Sequence, residues 1–228
     1  DLKGKTIGLL DFEMTAALVA RGMLADDYGI MPRDVRWVVG PVEDIGSHIP
    51  QAIMDTVVDG VDIAVAPEGK TLNGMLADGE IDGMIGLFEP SCMAQGSPVK
   101  RLFSDWRAVE QDYFRRTGIF PIMHAVAIRK TLLADNPWLA QSVFDAFCAA
   151  KDVAIAELQI PQACKVTLPW VVAEYADTKS VMGDDIWPYG YAANRTVIEA
   201  MVRWSQADGL LSRPVTAEEL FVPEFVDV

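Results

Sequence analysis

Short apolar runs and helical stripes alternate through the first 88 residues. Thr6–Leu10 is an apolar run bounded by Gly4 and Asp11, the mark of a buried strand. From Met14 to Tyr28 the apolar positions Leu18, Val19, Met23 and Leu24 fall at helical spacing, and Gly29 supplies a stop. Val35–Val39 reads as a second strand. Residues 40–60 form a longer connection broken by Gly40-Pro41, Gly46 and Pro50. Val61–Ala66 is a third strand, Thr71–Asp78 a short helix closed by Gly79, and Ile81–Phe88 a fourth strand. The order β-α-β-loop-β-α-β predicts a mostly parallel sheet with helices on its faces.

The second half is richer in helix. Ser104-Asp105 can cap a helix that runs to Gly118, and Ile119–Ile128 is an extended apolar run interrupted by Pro121. Asp135-Asn136-Pro137 reads as a helix start, followed by a stripe of Leu139, Val143, Phe147, Ala154 and Leu158. Further helices are predicted from Pro169 to Gly183 and over Tyr191–Asp208, stopped by Gly209. Amphipathic helices with a single good strand need something else to bury against. Either they cover the first sheet, or a second sheet is incomplete in this chain.

Composition narrows the function classes. The chain has 228 residues, 51% apolar and 23% charged, which is ordinary globular usage. A formal net charge of −14 argues against nucleic-acid binding, which needs a basic footprint. The charge is uneven. Residues 1–99 carry a net of −10, whereas residues 100–130 hold seven basic side chains against three acidic ones. That cationic stretch is either a solvated face or a local attractor for an anion. Cys92, Cys148 and Cys164 are too few and too scattered for a disulfide framework. With only His48 and His124, a His-rich metal site is excluded, while one His with carboxylates and a divalent metal stays open; no other cofactor is predicted. No apolar run reaches the ~18–20 residues of a membrane span, so membrane insertion is not expected. The chain opens on Asp1-Leu2-Lys3 without Met and reads as an internal start.

Candidate chemistry gathers at turns. Asp11–Thr15 lies between a strand's carboxyl end and a helix's amino end, where open α/β sheets take ligands and helix N–H groups favour an anion. Thr15 can add a hydroxyl there, or it and Asp11 can simply cap the helix. Ser91 and Cys92 follow the fourth strand and can hydrogen-bond a ligand from that turn. A Cys92 nucleophile would need an activating partner that the sequence does not place. His124 in an apolar run is either a packed histidine or the best candidate general acid. Arg115, Arg116 and Arg129 belong to the cationic stretch. Trp187-Pro188-Tyr189-Gly190 precedes a helix that carries Asn194 and Arg195; Tyr189, Asn194 and Arg195 can face a cleft, with arginine the natural carboxylate clamp, or can merely build a turn and cap.

Taken together, several segments resemble the 4,5-dihydroxyphthalate decarboxylase family, a relative of the type II periplasmic solute-binding proteins. The carriers are Met14-Thr15-Ala16-Ala17, Gly69-Lys70-Thr71-Leu72, Pro90-Ser91-Cys92, the Thr117–His124 block, Leu168-Pro169-Trp170, Met182–Asp185 with Trp187–Gly190, Asn194-Arg195, and Glu218–Phe221. The resemblance implies an α/β, type II periplasmic-binding-protein-like fold with two α/β lobes around a cleft. Residues 1–104 would be the second lobe. Residues 105–228 would be the C-terminal, helix-rich half of a first lobe that is incomplete, together with the hinge crossing.

The resemblance also implies a non-oxidative decarboxylase of a small aromatic dicarboxylate, giving a dihydroxybenzoate. His124 would be the acid, and Arg115, Arg116 or Arg129 the carboxylate clamp, with Arg195 in reserve. Thr15, Ser91, Tyr189 and Asn194 would bind the remaining polar groups. The alternative is a solute-binding protein of the ABC-transporter type that captures a small organic anion by lobe closure. The enzyme would be cytoplasmic and the binding protein periplasmic. A third reading is a trimmed lobe that serves as an interaction module. The expected partner is a small aromatic or organic anion; a homo-oligomer stays open.

Overall fold

The computed structural model describes residues 2–44, 53, 55–163, 165–225 and 227. His48 and Cys164 lie outside the described residues. The chain divides into two compact units, one of Asp1–Trp106 with Arg195–Pro223, the other of Arg107–Asn194 with Glu224–Val228.

The first unit is an α/β layer. Its strands are β1 (Thr6–Leu9), β2 (Arg36–Val39), β3 (Asp62–Val65) and β4 (Gly83–Ile85), interleaved with helices α1 (Thr15–Tyr28) and α2 (Leu72–Ala77). All strand pairs are parallel, in the order β3-β2-β1-β4. The pleat divides the core in two. Ile7, Leu9, Trp37 and Val39 gather with Phe12 and Ala17 on one face. Val38 joins Leu72, Met75 and Ile81 on the other. Burial on both faces is why β1 and the Trp37–Val39 part of β2 read as apolar runs rather than alternating ones, whereas β3 and β4 are only partly buried. Gly8 sits on the second face, where an added Cβ would come within 2.8 Å of Ile81 and 3.0 Å of Leu72.

Local signals set the helix ends. Gly29 takes φ 63° and donates to the Ala25 carbonyl, while Ile30 donates to Leu24, both at 3.1 Å. That left-handed position satisfies carbonyls the helix would leave open. The C-terminal helix α7 (Tyr191–Ala207) buries Val197, Ile198, Ala200 and Trp204. Within the first unit Trp204 donates to Asp26 at 2.9 Å, and Arg203 grips the same carboxylate through both nitrogens at 2.9 and 2.7 Å.

The Trp204 ring fills the space where Gly22 of α1 has no side chain; a methyl group there would overlap the ring. Gly22→Ala gains about 0.5–1 kcal/mol of helix preference, yet it overpacks a rigid indole, which costs about 1–3 kcal/mol. We expect net destabilisation, read as a lower denaturation midpoint; an unchanged or higher midpoint would show that Trp204 repacks freely.

The second unit carries α3 (Trp106–Thr117, starting one residue earlier), α4 (Lys130–Asp135), α5 (Leu139–Leu158) and α6 (Val171–Met182). Three sequence expectations change here. Ile119–Ile128 joins no sheet among the described residues. The Asp135-Asn136-Pro137 signal falls between two helices, with Asp135 ending α4 and α5 starting at Leu139. The α5 stripe is not buried: α5 has no buried residue, and Phe147 is 47% exposed. Trp138 and Trp170 are 64% and 75% exposed. Tyr113, Ile119, Tyr175 and Tyr191 are the buried hydrophobic residues of this unit among those described. The helical period was legible because it is a property of the segment. What it packs on is not.

Candidate functional site

In the first unit, chain direction in the sheet reverses beside β1. From β1 the chain moves outward through β2 to β3, then returns past both to add β4 on the other side of β1. The carboxyl ends of β1 and β4 therefore flank the switch point, where open α/β sheets bind ligands. The β1–α1 turn and the segment after β4, which carries Ser91, both leave the sheet there.

The β1–α1 turn leaves a helix end open. The Asp11 carboxylate accepts from the Glu13 N–H at 2.8 Å, so it serves the turn rather than the helix. Met14 holds the N-cap position with no side-chain hydrogen bond, whereas α2 is capped by Thr71, whose hydroxyl accepts from Gly74 N–H at 3.1 Å. The first-turn N–H groups of Thr15, Ala16 and Ala17 have no acceptor among the described residues. They form the positive end of a 14-residue helix. Thr15 is half-buried at its first position.

Across the switch point Ser91 is already engaged. Its N–H and hydroxyl donate to the two oxygens of Glu43 at 2.7 and 2.9 Å, and Asn73 donates to the same hydroxyl at 2.9 Å. Asn73 also accepts from the Cys92 N–H. Burial, followed by the nearby Glu43 charge, raises the Cys92 thiol above its ordinary value. Cys92 is thus held as a thiol, the wrong state for a nucleophile.

The β1–α1 turn has an anchor that the sequence reading missed. Arg21 of α1 is 1% exposed, donates to the Phe12 carbonyl and to Asp208, each at 2.8 Å, and lies 3.7 Å over the Phe12 ring. Burial lowers the Arg21 pKa and raises that of Asp208, while the attraction between them opposes both shifts. A charged residue three positions after Leu18, on the buried stripe of α1, was the available signal. Nothing in the sequence pointed to Asp208, 187 positions away.

Among the described residues, three of the seven basic side chains of the cationic stretch are paired with carboxylates. In the first unit Arg101 pairs with Glu89. In the second, Arg107 lies between Glu174 and Asp177, whose hydrogen bonds raise its pKa. Arg116 bonds Asp112 one turn back, and Arg115 reaches Gln111. Arg129 is exposed at the start of α4, and its side chain has no ion-pair partner among the described residues. His124 is exposed, again with no hydrogen-bond partner among them.

The Trp187–Gly190 turn of the second unit is held from two sides. The Asn194 amide donates to the Pro188 and Gly190 carbonyls at 2.9 and 2.8 Å. Lys151 of α5 bonds Asp185 and the Trp187 carbonyl and lies 5.0 Å over the Tyr189 ring. Asn194 thus serves the turn, Tyr189 is half-buried within it, and Arg195 is exposed on α7 in the first unit. Lys151 carried no signal as a turn-holding residue.

No cluster of three or more His, Cys, Asp or Glu among the described residues could hold a metal ion. No helix among them is long and apolar enough to cross a membrane.

No family model matches the chain. Two relatives do. A 4,5-dihydroxyphthalate decarboxylase of Comamonas testosteroni is 41% identical over 224 residues, 98% of this chain and 67% of the relative. A 4,5-dihydroxyphthalate decarboxylase of Pseudomonas putida is 40% identical over 116 residues, 50% of this chain and 44% of the relative. With that level of identity held across almost its whole length, the chain belongs to the 4,5-dihydroxyphthalate decarboxylase family.

Proposed function

We propose that the protein is a non-oxidative decarboxylase that acts on a small aromatic dicarboxylate of the 4,5-dihydroxyphthalate kind and yields a dihydroxybenzoate. The observation that carries this reading is 41% identity to a named decarboxylase over 98% of the chain. The uncapped start of α1 at the switch point supports it, because a carboxylate is the kind of group that satisfies free N–H groups at the positive end of a helix.

The step is redox-neutral. The bond between ring carbon and carboxylate breaks, its electron pair stays on the ring carbon, CO₂ leaves, and a proton replaces it. In this reading the α1 N–H groups and Thr15 bind carboxylate and ring hydroxyls, while Ser91, whose proton goes to Glu43, can only accept from a ring hydroxyl. Arg129, exposed and without an ion-pair partner among the described residues, is preferred over Arg115 and Arg116 as the clamp on the retained carboxylate. His124 delivers the proton. Tyr189, on its held turn, and Arg195 supply further contacts. The fold proposed around this chemistry is the type II periplasmic-binding-protein-like one, with residues 1–104 in one lobe and, of residues 105–228, the part Arg107–Asn194 in the other, since Arg195–Pro223 belongs to the first unit. The exposed apolar face of α5 accords with an incomplete lobe.

Incubation of the protein with 4,5-dihydroxyphthalate tests the reading. The expected result is CO₂ release with one equivalent of dihydroxybenzoate. Saturable binding with the ligand recovered unchanged would overturn the enzyme and favour a solute-binding protein.

A further inference from the structure

We infer that Arg21 is a positioning residue for the β1–α1 turn, held in place by Asp208; the inference rests on the anion-binding reading of that turn. Three contacts fix the guanidinium plane: the Phe12 carbonyl on Nη1, the Asp208 carboxylate on Nε, and the Phe12 ring at 3.7 Å. Phe12 stands three residues before Thr15, the first residue of α1. The peptide leading into the helix cannot rotate without breaking a buried, charge-assisted hydrogen bond. Asp208 follows α7 directly, and its N–H is bonded to the Trp204 carbonyl at 2.8 Å, so the anchor is itself rigid. The free N–H groups of Thr15, Ala16 and Ala17 are thereby aimed before any ligand arrives, which lowers the ordering cost of binding.

Stability alone does not account for the pair. Arg21 lies over the Phe12 ring, and its Nη2 is buried with no hydrogen-bond partner among the described residues. Apolar residues of similar volume often replace such a pair with no loss of stability. They would leave the Phe12 carbonyl without its donor.

The test separates folding from positioning in the full 228-residue chain. Arg21→Met strands the buried Asp208 charge and should lower Tm. Adding Asp208→Leu should recover much of that loss. Binding of 4,5-dihydroxyphthalate, by titration calorimetry, should stay weakened about tenfold or more in both. Arg21→Lys keeps the charge but replaces the rigid planar fork, which holds its partners through Nε and Nη1, by a flexible point charge; it should fold with near wild-type Tm and show the same weakening. Affinity that recovers together with Tm in the double variant, or wild-type affinity in Arg21→Lys, overturns the inference. If wild-type protein binds no 4,5-dihydroxyphthalate, the functional reading fails. Hydrogen exchange at the Leu18 amide, which donates to the Met14 carbonyl at 2.9 Å and closes the first turn, then decides the positioning: faster exchange in a variant with recovered Tm supports it, and unchanged exchange overturns it.

Discussion

Trp37→Ala is expected to cost the first unit about 3–5 kcal/mol, the range for truncating a large aromatic in a packed core. Trp37 is 2% exposed in the centre of β2, paired with β1 on one side and β3 on the other. Its ring meets Phe12 edge-on, with centroids 5.8 Å apart and planes at 77°. Its indole N–H donates to the Pro32 carbonyl at 2.9 Å, and Pro32 is buried. Truncation removes the apolar contact, opens a cavity beneath α1 and takes from the Pro32 carbonyl the shorter of its two hydrogen bonds, leaving it only the Val35 N–H at 3.4 Å. The loss is measurable as reduced hydrogen-exchange protection of the β1 and β2 amides. Because two units need not unfold together, that local readout is preferable to a single melting curve. A loss under about 1 kcal/mol would mean that neighbouring side chains close the gap, contrary to the close packing expected of a core.

His124→Asn is expected to lower turnover of 4,5-dihydroxyphthalate by about 10²–10⁴-fold, the usual worth of a positioned proton donor. Asparagine keeps a polar side chain of similar reach but has no titratable proton to deliver. The fold should be indifferent, because His124 is exposed and has no hydrogen-bond partner among the described residues. A normal Tm with a collapsed kcat and a nearly unchanged KM would therefore identify an interaction made only in the transition state. Wild-type turnover in the variant would remove His124 from the chemistry and shift attention to Tyr189.

Much of the first unit was legible beforehand. β1 to β4 lie within the predicted runs, and the two central strands β1 and β2, the most buried, gave the clearest signal. Gly29 and Gly209 marked the ends of α1 and α7 because a left-handed turn there suits a residue without a side chain. Thr15 and Ser91 could be flagged as turn residues from position alone. The family resemblance was legible as well, since its motifs are local. The second half was less so. A helical period in α5 predicts an apolar face, and the face exists, but among the described residues nothing buries it.

The chain by itself determined the element order of the first unit, the stops of α1 and α7, the acid–base balance and the family. These follow from neighbours in sequence: periodicity, capping and turn chemistry all act within a few residues. Tertiary structure alone decided which groups meet. The strand order brought the β1 and β4 turns to one switch point. Pairing with Glu174 and Asp177 took Arg107 out of the cationic stretch, while Arg129 was left without an ion-pair partner among the described residues. Packing of α1 against the end of α7 joined Arg21 to Asp208. Charge and hydrogen bonding depend on distance in space, and positions 187 apart acquire a distance only when the chain folds.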